Sequence, residues 1–197
     1  MHLLFKHAKI NSKEEEKGLS LIESAMVLAL AATVTAGVMF YYQSASDSNK
    51  TQSAISEVMS ATSAINGLYI GQSDYAQLSA QVLTNSSAIP DNYKKGSTIM
   101  NPFGGELEVA AAGNGRYGYS LKLTKLPKSA CISLATLNLG TSAAGYGINI
   151  TDGNNSNVTF GNTLGENAAK NVAIKPSEAS EKCTKSNNDN SVTYFMK

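Results

Sequence analysis

The sequence predicts an α+β fold in which one long N-terminal helix packs on a mainly antiparallel sheet. A run of residues without charge, 24–46, leads into apolar residues spaced three and four apart, which together indicate a helix that ends near Asn66. Beyond this helix, short apolar segments alternate with clusters of Gly, Asn, Pro and Ser, the pattern of strands joined by turns. The length of 197 residues suits one such domain with an N-terminal extension.

The uncharged run is long enough to cross a membrane. Its 23 residues, at about 1.5 Å per residue, exceed the roughly 30 Å hydrocarbon core of a bilayer. Tyr41 and Tyr42 stand at its far end, where aromatic rings prefer the membrane–water interface, and Asp47 marks the return to water. The lysines before the run place the N-terminus in the cytoplasm, because orientation follows Lys and Arg rather than acidic residues.

Two features distinguish this span from a plain anchor. Glu23 lies at its start, and an acidic side chain inside a membrane costs about 3 kcal/mol, which indicates a function. The alternative is an interfacial position, where the helix dipole tolerates a carboxylate. Ala25, Ala29, Thr33 and Gly37 follow at intervals of four and share one helix face, which allows other helices to approach closely. The span is therefore predicted to pack against other helices.

The distribution of charge excludes several classes of function. The first 18 residues contain four Lys and three Glu, which leaves 12 basic and 12 acidic residues in the rest of the chain. A neutral body is not suited to nucleic acid but has no charge barrier to self-association. His2 and His7 both lie in the first 18 residues, so the body lacks the imidazole that most nucleophile–base pairs and metal sites need. We expect that the protein is not an enzyme and that it binds no metal, cofactor or nucleic acid.

The segment that opens the helix, KGLSLIE from Lys17 to Glu23, resembles the class III signal of type IV pilins. The resemblance implies that the prepilin peptidase cuts between Gly18 and Leu19 and that Leu19 is then N-methylated. An 18-residue leader and a first mature residue other than Phe look like the type IVb branch. Cleavage leaves an α-amine on Leu19 one helical turn from Glu23, and the two charges can pair within one chain or between chains. In this family, the glutamate is thought to guide docking of the incoming subunit.

The resemblance extends over most of the chain. Four segments are similar to major subunits of type IVb pili: 16–50, 101–107, 133–143 and 192–197. It implies the type IV pilin fold and a homopolymer that forms fibres for bacterial aggregation and host-cell adhesion. The partners implied are the pilus assembly machinery of the inner membrane, other pili in bundles and the host cell surface. The subunit is expected in the inner membrane before assembly and in an extracellular fibre afterwards.

These observations divide the chain into three predicted parts. Residues 1–18 form a cleaved prepilin leader, and residues 19–46 form an apolar helix for the membrane and the fibre core. Residues 47–197 hold the amphipathic half of the helix and a globular α+β domain. Within that domain, 101–105 reads as a turn and Pro127 opens a helix that ends at Gly140. Strands are predicted by apolar alternation or β-branched content at 106–110, 117–123, 145–151, 158–160 and 191–196.

The chain contains two cysteines, Cys131 and Cys183. In a domain exported from the cytoplasm, an even count most simply indicates one disulfide, and type IV pilins have a C-terminal disulfide in a similar position. Two buried free thiols are the alternative. A catalytic cysteine is not expected, because the body of the chain has no histidine to activate it.

Three other functions are compatible with parts of the sequence. A minor pilin or a type II secretion pseudopilin would carry the same signal but occur in few copies. An ordinary secretory signal could end at the A-x-A motif 29–31, although Glu23 interrupts its apolar region and the uncharged run continues to Ser46. A membrane-anchored periplasmic binding protein or enzyme would remain as a monomer in the inner membrane.

Overall fold

The computed structural model describes residues 20–87, 89–112, 115–151 and 157–197. The chain divides into two compact units, the first ending at Gln43 and the second comprising Ser44–Lys197, which we call the head. The helix α1, Leu21–Leu68, contributes to both units. Among the described residues, it is the one helix long and apolar enough to cross a membrane.

Helix α1 ends slightly later than its sequence predicts. Gly67 stays helical, and the Tyr69 N–H still donates to the Ile65 carbonyl at 2.9 Å. The chain leaves the helix at Gly71, which has a φ of +84°. Because this left-handed conformation favours glycine, Gly71 rather than the predicted Asn66-Gly67 pair marks the end of the helical segment.

The part of α1 within the head buries a narrow face. Its buried residues are Ala54, Glu57, Val58, Ala61 and Ile65. The spacing of residues three and four apart in the sequence predicts an apolar stripe of Ile55, Val58, Met59, Thr62 and Ile65. Val58 and Ile65 are buried as predicted, but Met59 is 58% exposed. Small alanines occupy two of the buried positions instead, and small side chains allow a helix to approach its neighbours closely.

In the residues that the structure describes, the rest of the head contains three short helices and eight strands. The helices are α2, Ala80–Thr84; α3, Lys128–Ala135; and α4, Pro176–Lys182. The first strands are β1, Lys94–Lys95; β2, Thr98–Ile99; β3, Leu107–Ala111; and β4, Tyr119–Leu126. They are followed by β5, Ala143–Ile148; β6, Thr159–Gly161; β7, Ala168–Lys170; and β8, Asn190–Met196. Single turns of 3₁₀-helix lie at Asp91–Tyr93 and Gly140–Ser142.

Strands β3 to β8 form one sheet in the order β3-β4-β8-β5-β7-β6, and β1 pairs with β2 separately. All pairs are antiparallel except β6 with β7, which confirms the predicted α+β fold with a mainly antiparallel sheet. The C-terminal strand β8 lies in the centre of the sheet, and all seven of its residues are buried. The last residues of the chain therefore complete the core of the head.

The predicted elements of the head agree with the structure apart from their ends, but five short helices and strands of the structure were not predicted. The helix predicted from Pro127 to Gly140 is shorter, because α3 ends at Ala135 and a 3₁₀ turn follows at Gly140–Ser142. Helices α2 and α4 and strands β1, β2 and β7 were not predicted. Strand β7 has only three residues and no alternation, whereas α4 carried a signal in Pro176 at its start and Glu178 two residues later.

The sheet is covered by side chains on both faces. Leu121 and Leu123 of β4 and Tyr194 of β8 form one core cluster with Val58 of α1. On the opposite face, an aromatic cluster centres on Phe195, whose ring lies 4.9 Å from that of Tyr117 and 5.1 Å from that of Phe160. Alternate residues of β8 thus contribute to two separate cores, as expected for a central strand.

The segment 101–107 is a turn organised by one buried side chain. The Asn101 carboxamide oxygen accepts hydrogen bonds from the N–H groups of Phe103 at 2.9 Å and Gly105 at 3.2 Å. Its Nδ2 group donates to the carbonyls of Thr124 at 2.8 Å and Glu106 at 3.3 Å. A Cβ at position 105 would overlap the Thr124 carbonyl, which explains the glycine there. This turn fixes the start of β3 against β4.

We expect Asn101→Ala to lower the free energy of unfolding by about 2–3 kcal/mol, because it leaves several buried backbone groups without partners. Chemical denaturation of the full chain in mild detergent measures the change. Asn92→Ala, at an exposed position of the nearby 3₁₀ turn, is the matched control and should change stability little. Equal stability of the two variants would contradict this role of Asn101.

Candidate assembly site

The first turn of α1 contains the predicted assembly residue Glu23. The Ser20 N–H donates a hydrogen bond to Glu23 Oε2 at 3.0 Å, and the Ser24 hydroxyl donates to the Ser20 carbonyl at 2.9 Å. A glutamate three residues after a serine is the pattern of a capping box, and here its carboxylate caps its own helix. The S-x-x-E signal for this cap is present in the sequence at Ser20 and Glu23, and the cap was not predicted from it. Gly18 and Leu19, the predicted cleavage and methylation positions, lie outside the described residues.

The predicted packing row, Ala25, Ala29, Thr33 and Gly37, is exposed along α1. The Thr33 hydroxyl donates to the Leu30 carbonyl at 2.9 Å, so its polar group is satisfied within the helix. A Cβ at Gly37 would meet no atom within 4 Å. The row is therefore a strip of small side chains along which another helix could lie closely.

Large apolar side chains surround the remaining circumference of the same segment. Each of the following is at least 60% exposed: Leu21, Ile22, Met26, Val27, Leu28, Leu30, Val34, Val38, Met39, Phe40, Tyr41 and Tyr42. A helix that is apolar on all sides is stable only when lipid or other helices cover it. This segment therefore requires a membrane or further copies of the helix around it.

A disulfide fixes the C-terminal part of the head and confirms the predicted pairing. Cys131 of α3 and Cys183, the residue after α4, are bonded, with their Cα atoms 5.9 Å apart. Both cysteines are buried. The Tyr194 hydroxyl also donates to the Leu134 carbonyl at 2.7 Å, which joins α3 to the central strand. Helix α4 is in this way connected through α3 to the middle of the sheet.

An ion pair makes a second connection to α4. The buried Lys170 of β7 donates to both carboxylate oxygens of Glu178, at 2.7 and 2.8 Å. Glu178 also accepts the Lys175 N–H at 3.0 Å, as a helix cap. Hydrogen bonding from Lys170, followed by that from the Lys175 backbone, lowers the pKa of Glu178. The unpredicted elements β7 and α4 are thus held together by charge.

The described residues provide surfaces for packing rather than groups for catalysis. In residues 20–87, 89–112, 115–151 and 157–197, no group of three or more His, Cys, Asp or Glu side chains is arranged to hold a metal ion. The two cysteines are oxidised to a disulfide and cannot act as nucleophiles. What the arrangement can do is bury an apolar helix against like helices while a rigid, covalently closed head remains outside.

Comparison with known proteins identifies relatives of the whole chain. The family model described as Bundlin matches residues 43–197. Two proteins, each named major structural subunit of bundle-forming pilus, are 66% identical to this chain over 193 residues, which cover 96% of it and 99% of each relative. They come from Escherichia coli O127:H6 (strain E2348/69 / EPEC) and Escherichia coli O111:H-.

A solved structure supports the fold independently. The crystal structure of a type IV b pilin from Salmonella typhi has a TM-score of 0.52 to this structure and is 24% identical in sequence. The match covers 73% of this chain and 97% of that one. At this level of identity, the likeness concerns the fold: a long N-terminal helix with an antiparallel sheet.

Proposed function

Because this chain belongs to the bundlin family of pilins, we propose that it is cleaved by the prepilin peptidase and polymerises through α1 into a bundling pilus. The chain is a structural subunit and not an enzyme, and pilin subunits associate with one another into an extracellular fibre. We further propose the route by which this chain reaches the fibre, the residues that direct its assembly and the function of the fibre.

The observation that carries the proposal is the band of exposed apolar side chains around the uncharged part of α1, residues 24–42. Such a surface needs lipid around it before assembly and other copies of the same helix afterwards. The inner membrane is therefore the proposed location before polymerisation, and its pilus assembly machinery is the proposed partner. The small residues Ala25, Ala29, Thr33 and Gly37 are the proposed line of closest helix contact.

Glu23 is proposed to set the register between subunits. Cleavage after Gly18 creates a cationic amine on Leu19, one turn from this carboxylate. One carboxylate oxygen already accepts the Ser20 N–H, and the other can accept a charged group from a neighbouring chain. An unpaired charge in an apolar fibre core is costly, so a register in which the two charges meet is favoured.

The names of the relatives support a proposal for what the fibre does outside the cell. Proteins similar over nearly the whole chain are subunits of a bundle-forming pilus. We propose that this fibre associates laterally with other pili and that the bundles mediate bacterial aggregation and attachment to the host cell surface.

Intact-mass and N-terminal analysis of protein sheared from the cell surface tests this proposal. The expected product starts at N-methylated Leu19 and contains the Cys131–Cys183 disulfide. A product that starts at Ala32 would indicate an ordinary secretory signal instead. An uncleaved chain confined to the membrane would also overturn the proposal.

Two substitutions of Glu23 separate its charge from its capping role. We expect Glu23→Gln and Glu23→Ala each to reduce sheared surface pilin more than tenfold, because neither can neutralise the Leu19 amine in the fibre core. Glutamine can still accept the Ser20 N–H, so it keeps the helix cap. Ser24→Ala is the control, since it removes a neighbouring hydrogen bond without changing charge. Normal fibre yield from Glu23→Gln would assign the residue to capping alone.

A further inference from the structure

A charged cleft lies on the face of the sheet opposite to α1. Along β4, Leu121 and Leu123 join the core beneath α1, whereas Lys122 between them points to the other face. Its strand partner Glu108 lies on that same face, and their side chains form an ion pair at 3.2 Å. The cleft beside this pair has a volume of about 430 Å³.

Four more charged residues line the charged cleft, and they balance one another. Lys125 and Lys185 are basic, and Glu106 and Asp189 are acidic. All four are exposed, and none of them forms an ion pair with any residue that the structure describes. The cleft thus presents two unpaired positive and two unpaired negative groups to solvent.

The backbone holds these four residues in place. Lys125 has a φ of +55° at the point where the register between β4 and β8 shifts, and Glu106 exchanges hydrogen bonds with the Thr124 hydroxyl. The Lys185 N–H donates to the side chain of the buried Asn190 at 3.0 Å. The Asp189 N–H donates to the Ser186 carbonyl at 3.2 Å and closes a turn. The backbone positions of these four residues are therefore set by the fold of the head, which limits the conformational freedom that binding must remove.

The balance of charge selects the kind of partner. A polyanion would be repelled by Glu106 and Asp189, and a polycation would be repelled by Lys125 and Lys185. A partner with the same balanced pattern can place each lysine against a carboxylate, and a second copy of this chain has that pattern. From this charge complementarity we infer that the charged cleft is the contact between pilin subunits of neighbouring fibres, docking cleft to cleft.

The inference rests on the proposed function, because it assumes fibres built around α1. In such a fibre the face of the sheet opposite to α1 points away from the helical core. The charged cleft is then available for contacts between fibres, while α1 supplies the contacts within one fibre. Attraction between these exposed charges is screened by salt, so bundles should loosen as ionic strength rises.

Complementary charge reversal tests the inference on fibres assembled by cells. The acidic variant carries Lys125→Glu and Lys185→Glu, and the basic variant carries Glu106→Lys and Asp189→Lys. Each variant alone is expected to form single fibres but to lose bundles more than tenfold in electron micrographs and low-speed sedimentation. An equal mixture of cells carrying the two variants is expected to regain bundles, because their clefts are complementary.

A control and two readouts separate the possible failures. Lys95→Glu with Lys128→Glu makes the same change of net charge as the acidic variant, at exposed positions outside the charged cleft, and it should bundle normally. The amount of sheared pilin reports folding and assembly for every variant. Absence of fibres from the unaltered chain would overturn the proposed function. Normal fibres that still bundle in either variant alone, or that fail to bundle in the mixture, would overturn the charged cleft as the contact.

Discussion

Replacement of Glu57 by leucine is expected to stabilise the head by about 2–4 kcal/mol at pH 7. Glu57 lies on the buried face of α1 and is only 4% exposed. Neither of its carboxylate oxygens has a hydrogen-bond partner among the residues that the structure describes. Burial raises the pKa of Glu57 from its ordinary 4.5 to about 8, because desolvation disfavours the charged form. Leucine removes the cost of this unpaired polar group and keeps the volume of the side chain.

The same group makes stability depend on pH. The folded head holds the Glu57 proton more tightly than the unfolded chain does. The resulting stabilisation of the folded state is fully present below about pH 4.5 and is lost as pH rises through 8. The pKa shift corresponds to a loss of about 5 kcal/mol over that range. Glu178 acts in the opposite sense: its lowered pKa gives a contribution that is lost as pH falls below its ordinary value. Stability is therefore expected to be highest near pH 5.

Chemical denaturation of the full chain in mild detergent, from pH 5 to pH 9, measures this effect. Glu57→Gln is the matched control, because it keeps a buried polar side chain of the same size but cannot ionise. We expect the glutamine variant to have a nearly flat profile above pH 5 while the unaltered chain loses stability. If the two profiles have the same slope, Glu57 is not the group responsible.

Removal of the disulfide by Cys131→Ser together with Cys183→Ser is expected to lower the free energy of unfolding by about 4 kcal/mol. The bond closes a loop with a sequence separation of 52, and the chain-entropy relation gives this magnitude. This change is a large share of the free energy of unfolding of a typical domain, which is roughly 5–15 kcal/mol. Fibre yield should fall with it, because helix α4 loses its covalent connection to α3.

Thermal unfolding in detergent, protease resistance and the amount of sheared pilin are the measurements for this variant. Ser133→Ala with Ser180→Ala changes two exposed residues of the same helices and serves as the control. Native protein should resist mild reductant, because both cysteines are buried, and should become reducible once unfolded. Normal piliation and normal protease resistance of the double serine variant would show that the disulfide has no structural role.

Much of the fold could be predicted because helices, strands and turns depend on patterns of residues within short segments of the sequence. The uncharged run before Asp47 and the apolar spacing after it predict α1. The alternation of Tyr117, Tyr119, Leu121 and Leu123 predicts β4, which starts two residues later than predicted, at Tyr119. The turn at 101–105 carries its own Asn and Gly signals. In each case the residues that decide the conformation are neighbours in sequence, so periodicity is sufficient.

The candidate site divides in the same way. The S-x-x-E pattern and the row of small residues each involve residues close together in the sequence. The start of the helix and its packing strip can therefore be predicted from the sequence. The charged cleft is not, because Glu106, Lys125, Lys185 and Asp189 come from distant segments that only the sheet brings together. A reader of the sequence alone sees four ordinary surface charges.

By itself, the sequence determined that an apolar helix with one carboxylate at its start precedes a neutral α+β domain closed by two cysteines. Only the tertiary structure decided that β8 enters the centre of the sheet, that Met59 faces outward and that Glu57 is buried with no hydrogen-bond partner in the described part of the chain. The physical reason is the range of the interactions. Helix and strand periodicity arises between near neighbours, whereas strand order and side-chain burial arise from contacts between segments far apart in the chain.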